Sequence, residues 1–295
     1  MFLTHDLYKT QHFAKKEISV TSTTSRFSFW KYMLFVLLQA ALLLVSIRLL
    51  LPGIWDSQIA AGLATIILVF LGIHLFNCFA EWAFHRYVLH AVCAKWLQRF
   101  AVSHRLHHNL TPIRLRRDEA GKELKILNQY PIESEAQLES SVFPKWALVA
   151  FWGLFTPFLV GLQLWFPRTP FLLSGYLAIT WSLACYETFH HVEHLPFEWW
   201  RRRMANRNFG RLWMKAYGFH HMHHANIRCN EAISGFFGLP LADWAFGTYN
   251  QPRKIFLNGD IASSRDFVLL PPRSFVQRLD RLVRRREARL SSVAS

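Results

Sequence analysis

The chain has 295 residues, of which only 18% are Asp, Glu, Lys or Arg, whereas 52% are hydrophobic and 16% are aromatic. Soluble domains carry about 25% charged residues, so this composition excludes an ordinary soluble domain and indicates a multipass membrane protein. A net charge of +15 would suggest a nucleic-acid partner in a soluble chain. Here positive loops on one side of a bilayer explain the charge, and no nucleic-acid partner is expected.

Four apolar stretches are long enough to cross about 30 Å of hydrocarbon, which takes about 20 helical residues. In chain order they cover about 33–51, 57–80, 146–166 and 170–186. Tight turns that contain proline join the first stretch to the second and the third to the fourth, so the four are predicted to form two helical hairpins. The sequence therefore predicts an all-α integral membrane protein with four transmembrane helices and a helical cap at one face.

The predicted division of the chain has three parts. Residues 1–29 form an N-terminal tail, residues 30–250 form the membrane unit with its cap, and residues 251–295 form a basic C-terminal tail. Of the 34 lysines and arginines, only Arg48 and Arg168 lie in the two turns between spans. By the positive-inside rule, the cap and both termini are predicted to be cytoplasmic, in a bacterial inner membrane or the endoplasmic reticulum.

Two stretches after the last predicted span are amphipathic. Residues 195–218 mix tryptophans with arginines, which is typical of a helix lying in the headgroup plane. Residues 273–289 are basic and helical in pattern, and could bind anionic lipid. A solvated basic face is the alternative for both. Residues 118–140 are acidic and polar without periodicity, and no regular element is predicted there.

Ten histidines form four clusters, each just beyond the end of an apolar segment. The clusters are His85-x4-His90, His104-x2-His107-His108, His190-x3-His194 and His220-x2-His223-His224. Imidazole is the commonest protein ligand for metals and suits iron and zinc. Residues three or four apart share a helix face, so each triplet can point at one place. Ten imidazoles are too many for one ion, and the sequence predicts a centre with two metals.

The five remaining histidines are predicted to lie outside this centre. His5 and His12 belong to the N-terminal tail, whereas His191 and His221 adjoin ligand candidates and could be alternate ligands, although a supporting or surface role is favoured for both. His74 lies inside the second predicted span, where it could either line a cavity or be a hydrogen-bonded core residue. Within the clusters, His85 and His90 are five residues apart and diverge by roughly 140° on an α-helix, so each could serve a different metal.

The positions of the glutamates and aspartates indicate which type of two-metal centre is possible. Ferritin-like di-iron proteins carry two ExxH motifs, whereas this chain has one, at Glu187 and His190, so that arrangement is not supported. Glu81, Glu187 and Asp243 are predicted to accept hydrogen bonds from imidazole N–H groups and so to orient the ligands. Ion pairing at the membrane edge is the alternative for the two glutamates.

The sequence resembles the membrane fatty acid hydroxylase superfamily, which also contains sterol desaturases. Glu81–His90 is similar to the first histidine box of that family, Tyr186–His194 to its third, and Asp243–Thr248 to the segment that closes its catalytic domain. The resemblance covers roughly residues 70–250. The order of the clusters is closer to fatty acid and sphingolipid 2-hydroxylases than to acyl-CoA desaturases, although the gap between His194 and the last triplet is longer than in the family.

The resemblance implies a catalytic cap whose ten histidines hold two iron ions, with zinc possible in purified protein. The implied activity is an O2-dependent monooxygenase reaction that hydroxylates an unactivated C–H bond of a fatty acyl, sphingolipid or sterol-type lipid. Electrons would come from a separate NAD(P)H-linked donor that is cytochrome b5-, ferredoxin- or reductase-like. A lipid desaturase on the same scaffold is the alternative, and a non-catalytic metal-binding or metal-transport protein is less favoured.

Overall fold

The computed structural model describes residues 28–91, 94–117 and 123–292. The predicted N-terminal tail up to residue 27, with His5 and His12, lies outside the described residues. The helices of the membrane part are α1 (Phe29–Leu50), α2 (Pro52–Ala60), α3 (Leu63–Phe84), α6 (Ala147–Trp165) and α7 (Phe171–Glu193). The cap contains α4 (Gln98–Leu110), β1 (Ile113–Arg117), β2 (Leu124–Asn128), α5 (Glu135–Ser140), α8 (Phe197–Met204), α9 (Gly210–Ala225), α10 (Leu241–Phe246) and α11 (Ser274–Ser292). Short helical turns at His85–Leu89, Lys95–Leu97 and Ser264–Phe267 complete the description.

Three helices among the described residues are long and apolar enough to cross a membrane: α1, α3 with its continuation to Leu89, and α6. Their outer faces carry exposed aliphatic side chains, such as Leu49 (73% exposed) and Leu164 (76%). Because burying a leucine in water-free surroundings is worth about 1.5–3 kcal/mol, such faces indicate contact with lipid. The chain thus has the features of a multipass membrane protein.

The second predicted span, 57–80, begins in one helix and ends in another. The chain breaks between α2 and α3 at Gly62, whose φ of +79° is open to glycine but strained for other residues. Arg48 and Asp56 form an exposed ion pair across the turn that joins α1 to α2, at 3.6 Å. Helix α2 is therefore a short connecting helix, and the membrane-crossing stretch begins at Leu63.

Helix α7, the fourth predicted span, is the inner helix of the membrane part. It packs against α1, α3 and α6, and its buried face includes Ser174 and Thr180 as well as leucines. A Cβ at Gly175 would lie 2.5 Å from the Leu159 side chain, so glycine lets α6 approach closely. These small and polar residues lower the hydropathy of α7, which is why its composition resembles that of a buried helix rather than a lipid-facing one.

The described part of the chain is mostly helical, in keeping with the all-α prediction, and the cap adds one short two-stranded sheet. Strands β1 and β2 form an antiparallel hairpin in which Ile113 pairs with Asn128 and Arg117 with Leu124. The stretch 118–140, for which no element was predicted, thus contains β2 and also α5, which begins with a capping box of Ser134 and Gln137. The hairpin forms because Ile113 and Ile126 bury their side chains in the cap core, although each strand is too short to show clear periodicity.

Aromatic residues fill the core of the cap. Trp200 is 2% exposed and packs with Tyr130, Tyr217 and Phe256. Trp200, which belongs to the stretch predicted to lie in the headgroup plane, is therefore a core residue of the cap. That stretch, 195–218, contains two helices, α8 and the start of α9. Phe256 shows that the segment after residue 250 packs against the cap, and the predicted helix in the C-terminal segment is confirmed as α11.

Candidate metal centre

The ten clustered histidines come together as two groups of five. Within each group the nearest ring nitrogens lie within 4.8 Å of one another. The first group is His85, His90, His104, His108 and His223, and the second is His107, His190, His194, His220 and His224. Eight of the ten are buried, while His90 and His108 are partly exposed. Both groups could hold a metal ion, as the clusters predicted.

Each HxxHH triplet divides between the two groups. On α4, His104 and His108 belong to the first group and His107 to the second; on α9, His220 and His224 belong to the second group and His223 to the first. Residues four apart on a helix lie nearly one above the other, whereas the residue three along is rotated away from the fourth by about 100°. The i, i+4 pair therefore faces one metal position and the remaining histidine faces the other.

His85 and His90 belong to the same group, contrary to the α-helical prediction that they diverge. Residues His85–Leu89 form a π-helical turn, in which the N–H of His90 donates to the carbonyl of His85 at 3.1 Å. A π turn places residues five apart above one another, as an α turn does for residues four apart. The two rings accordingly stack with centroids 4.9 Å apart.

The distances between ring nitrogens fit a shared ion. In the first group, Nε2 of His104 lies 2.9 Å from that of His85 and 3.0 Å from that of His108. In the second, Nε2 of His194 lies 3.1 Å from those of both His107 and His220. Two nitrogens that each lie about 2.1 Å from one ion, a usual imidazole–metal distance, are about 3.0 Å apart when they subtend a right angle. Each of the two groups could thus hold one metal ion with five imidazole nitrogens.

Backbone carbonyls orient five of the ten rings. Each of these rings donates a hydrogen bond from Nδ1 to a backbone carbonyl at 2.6–2.9 Å. The pairs are His85 with Glu231, His190 with Ser141, His194 with Tyr130, His223 with Cys229, and His224 with Thr111. A ring that donates from Nδ1 leaves the Nε2 lone pair free to bind metal. These five residues were not found from the sequence, because any residue can supply a carbonyl and no side-chain pattern marks it.

The carboxylates predicted to orient the histidine rings instead accept hydrogen bonds from backbone N–H groups and hydroxyls near them. Asp243 accepts from the N–H groups of Glu231 and Ala232 at 3.0 and 2.9 Å, and so fixes the residue whose carbonyl holds His85. Glu187 accepts from the Phe143 N–H at 2.8 Å and from the Tyr32 hydroxyl at 3.1 Å. Among the described residues, neither carboxylate accepts a hydrogen bond from a histidine ring N–H.

Within the part of the chain that the structure describes, Glu81 likewise accepts no hydrogen bond from a histidine ring N–H. Its carboxylate instead accepts from the N–H and the hydroxyl of Ser234, at 2.8 and 2.6 Å, and ties α3 to the loop before α10. Two further acidic residues lie nearer to ligands. Glu231 Oε2 is 3.9 Å from Nδ1 of His85, and Glu193 Oε2 is 3.8 Å from Nδ1 of His220. The sequence did not single out either of them.

The surroundings keep the ligands neutral. Burial, followed by repulsion from the neighbouring imidazoles, holds the pKa of His104 and of His224 well below the usual value of about 6.5. Burial also lowers the pKa of His223 to about 4. Neutral imidazole is the form that binds metal. Lone pairs that converge at about 3 Å repel one another unless a cation lies between them, so this cluster favours occupancy by metal.

An apolar cavity of about 400 Å³ reaches the first group from the membrane side. It lies between α3, α6 and α7, and its wall includes Phe151, Phe155 and Leu183. His85 and Asn77 both line it, and they are eight residues apart on α3, or about 12 Å at 1.5 Å per residue. The cavity therefore runs from a metal-ligand candidate into the helices of the membrane part.

Three of the remaining histidines have other roles. His74 is 1% exposed and its Nδ1 lies 3.0 Å from the Ser182 hydroxyl, so it is a hydrogen-bonded core residue. His221 accepts from the Phe256 N–H at 3.1 Å, and His191 stacks on Phe29 with ring centroids 4.4 Å apart. Neither belongs to a five-histidine group, in agreement with the sequence prediction.

Comparisons with family models, curated proteins and solved structures found no match to this chain.

Proposed function

We propose that this chain is an O2-dependent di-iron monooxygenase that hydroxylates an unactivated C–H bond in the chain of a membrane lipid, as its resemblance to the membrane fatty acid hydroxylases implies. The observation that carries the proposal is the pair of five-histidine groups, the first of which meets an apolar cavity between apolar helices at His85. A cavity of that size is in the range of small-molecule sites. Its apolar wall suits a hydrocarbon chain better than any water-soluble substrate.

The donor sets favour redox-active metal over structural zinc. Structural zinc sites are closed and bind four ligands tetrahedrally, whereas each group here offers five imidazoles. Five imidazoles exceed the four donors of a closed structural zinc site and would suit iron, for which imidazole is a good ligand. When bound, two iron ions would supply the activation of O2 and the removal of hydrogen from carbon.

The protein's own residues would position the substrate. Phe151, Phe155 and Leu183 would hold the lipid chain and exclude water, and the carbon that lies beside His85 would be the one that reacts. Because Ser234 holds Glu81 in the cavity wall, this carboxylate would shape the cavity near the reacting carbon. Positioning of this kind selects the carbon, and also decides between insertion of oxygen and removal of a second hydrogen.

The proposal includes a topology. Helix α7 would be a fourth span, so that α1 with α3 and α6 with α7 form two hairpins and the cap lies on the cytoplasmic side of a bacterial inner membrane or the endoplasmic reticulum. The charge asymmetry of the loops supports this orientation. A transporter is disfavoured, because transport sites lie near the bilayer midplane, whereas both histidine groups lie at the ends of helices.

Untargeted lipid mass spectrometry on cells that express the chain tests the activity. The comparison is with a His107→Ala, His223→Ala double variant, which removes one ligand from each group. We expect a lipid that gains one oxygen only in cells with the intact protein. Loss of two hydrogens instead would identify a desaturase. No difference in a host that supplies electrons and loads the protein with iron would refute the enzyme proposal.

A further inference from the structure

A second cavity, polar and of about 200 Å³, opens beside the first histidine group on the side of helix α11. Its wall includes His90 and three arginines, Arg86, Arg228 and Arg284. The apolar cavity reaches the same group through His85. Two cavities thus reach the first five-histidine group: an apolar cavity at His85 and a polar, arginine-lined cavity at His90.

His90 is the point at which the centre comes closest to this cavity. It is one of the two ligand candidates that are not fully buried. Its Nε2 lies 3.0 Å from that of His223, whereas its Nδ1 makes no hydrogen bond within the described part of the chain. A ring that contacts both the metal position and the surface is a direct route for an electron.

The charged groups at the cavity have a net charge of +1, because four arginines lie with three carboxylates: Arg86, Arg105, Arg228 and Arg284 with Glu231, Asp280 and Glu287. Arg86 is neutralised by Asp280 at 2.7 Å and by Glu231 at 2.8 Å, and Glu287 is paired with Arg105 at 3.0 Å. Arg228 and Arg284 are exposed, and among the described residues neither has a carboxylate within ion-pair distance, although Arg284 is close enough to Asp280 to attract it electrostatically. They therefore remain available to carboxylates of another molecule.

Helix α11 holds this surface in place. Asp280 accepts from both Nε and Nη2 of Arg86, at 2.9 and 2.7 Å, and from the Tyr87 hydroxyl at 3.1 Å. Such a bidentate pair fixes geometry as well as charge. Val276, one turn before Asp280, is fully buried. The C-terminal segment is thus a fixed wall of the cavity, and it presents Arg284 one turn beyond Asp280.

We propose that this surface docks an acidic one-electron carrier protein, which places carboxylates on Arg228 and Arg284 and its redox cofactor over His90. The inference rests on the proposed function. Each docked carrier is oxidised by one electron. Two electrons, two protons and O2 then convert a C–H bond to C–OH with release of one water, so two docking events serve each turnover. Complementary charge accelerates such encounters and makes them sensitive to salt.

The stretch 201–211, which is also rich in arginine, is a poorer candidate. Arg201 and Arg202 both pair with Glu198, at 2.7 and 3.3 Å. Neither the apolar cavity nor the polar cavity joins that surface to a histidine of either group. Its exposed Arg207 and Arg211 nevertheless provide a control, because reversing their charge changes the net charge of the protein equally.

The test uses the full-length protein in lipid nanodiscs and the soluble haem domain of cytochrome b5 as an acidic probe. Binding of the probe is measured with and without iron, and electron transfer is measured by stopped flow with the iron-loaded protein. We expect Arg228→Glu with Arg284→Glu to weaken binding and to slow electron transfer at least 10-fold. The control, Arg207→Glu with Arg211→Glu, should change both by less than twofold, and reduction by dithionite should be equal in all three proteins.

Absence of probe binding to the unsubstituted protein, or equal losses in the two double variants, would overturn the docking proposal. Failure of the proposed function is seen separately. If the probe binds and is oxidised at this surface but no lipid product forms, the docking site stands and the monooxygenase proposal fails. If lipid is hydroxylated with a chemical reductant but charge reversal leaves probe binding unchanged, the monooxygenase proposal stands and the docking proposal fails.

Discussion

Single residues decide which metal position each imidazole faces. His107 lies on the same turn of α4 as His108, yet its Nε2 is 3.1 Å from that of His194 and 3.3 Å from that of His224. We expect His107→Ala to deprive only the second group of a ligand, and so to lower bound iron from about two ions per chain toward one. His223→Ala should do the same for the first group.

Metal analysis of the purified proteins by inductively coupled plasma mass spectrometry measures this effect. His191→Ala is the matched control, because His191 stacks on Phe29 and belongs to neither group. A full iron complement in His107→Ala, or an equal loss in His191→Ala, would contradict the division of ligands described above.

The carboxylate of Asp243 is expected to act on metal retention without touching a ring. In Asp243→Asn, an amide N–H₂ would face the N–H of Glu231 or of Ala232, and an unsatisfied buried donor costs about 1–3 kcal/mol. The Glu231 carbonyl would then hold His85 less firmly. Because outer partners of metal ligands typically contribute 10–100-fold in affinity, we expect at least about 10-fold faster loss of iron.

Transfer of iron to a chromogenic chelator gives the rate of this loss. Asp56→Asn is the control, since Asp56 forms only an exposed pair with Arg48 at the far end of α1. Equal rates for Asp243→Asn and the unsubstituted protein would show that the Glu231 carbonyl does not depend on this carboxylate.

At the scale of elements, the sequence predicted apolar membrane helices and ten clustered histidines that could bind metal, but not the way these histidines are held. The ten histidines were identifiable because imidazoles at i, i+3 and i+4 spacing are a side-chain signal. The π turn at His85 was not, since its backbone geometry is set by packing and hydrogen bonding in the folded cap. The role of the 118–140 stretch was also hidden, because it contributes the Tyr130 carbonyl to His194 and not a side chain.

The apolar cavity between α3, α6 and α7 allows a prediction at this scale. Leu183 is 5% exposed and lines the cavity from α7. A tryptophan there would fill space that the lipid chain needs, so we expect Leu183→Trp to lower product formation more than 10-fold while iron content stays unchanged. The larger ring also costs about 1–3 kcal/mol of stability by overpacking.

Lipid mass spectrometry and metal analysis on the same preparations separate the two effects. Leu164→Trp, at a side chain on α6 that is 76% exposed, controls for the added ring. Undiminished product from Leu183→Trp would mean that the substrate does not occupy this cavity, and a parallel loss of iron would mean that the variant disturbs the metal centre instead.

For the molecule as a whole, the predicted number of spans and the orientation depend on α7. Three helices qualify as spans by length and apolarity among the described residues, and α6 is one of them, so a crossing by α6 puts Arg168 on the side opposite the part of the cap that precedes α6. With α7 as a fourth crossing, the turns that contain Asp56 and Arg168 lie together on the side opposite the cap. With three crossings the residues after α7 would stay on the side of Arg168, so the two arrangements differ in the side on which Arg211 and Arg253 are found, and only four crossings keep His107 on the same side as His194.

Single cysteines introduced at Asp56, Arg168, Arg211 and Arg253 distinguish these arrangements by labelling of intact cells with a membrane-impermeant maleimide. We expect labelling at positions 56 and 168 and none at 211 and 253 until the membrane is permeabilised, because the arginine-rich cap stays on the cytoplasmic side. The unsubstituted protein, whose Cys78 and Cys229 are buried, gives the background. Labelling at 56 but not at 168 would mean that neither α6 nor α7 crosses, and labelling at 56, 168 and 211 together would mean that α6 crosses without α7. Labelling at 211 and 253 but not at 56 would place the histidine groups on the outer side, out of reach of a cytoplasmic electron donor.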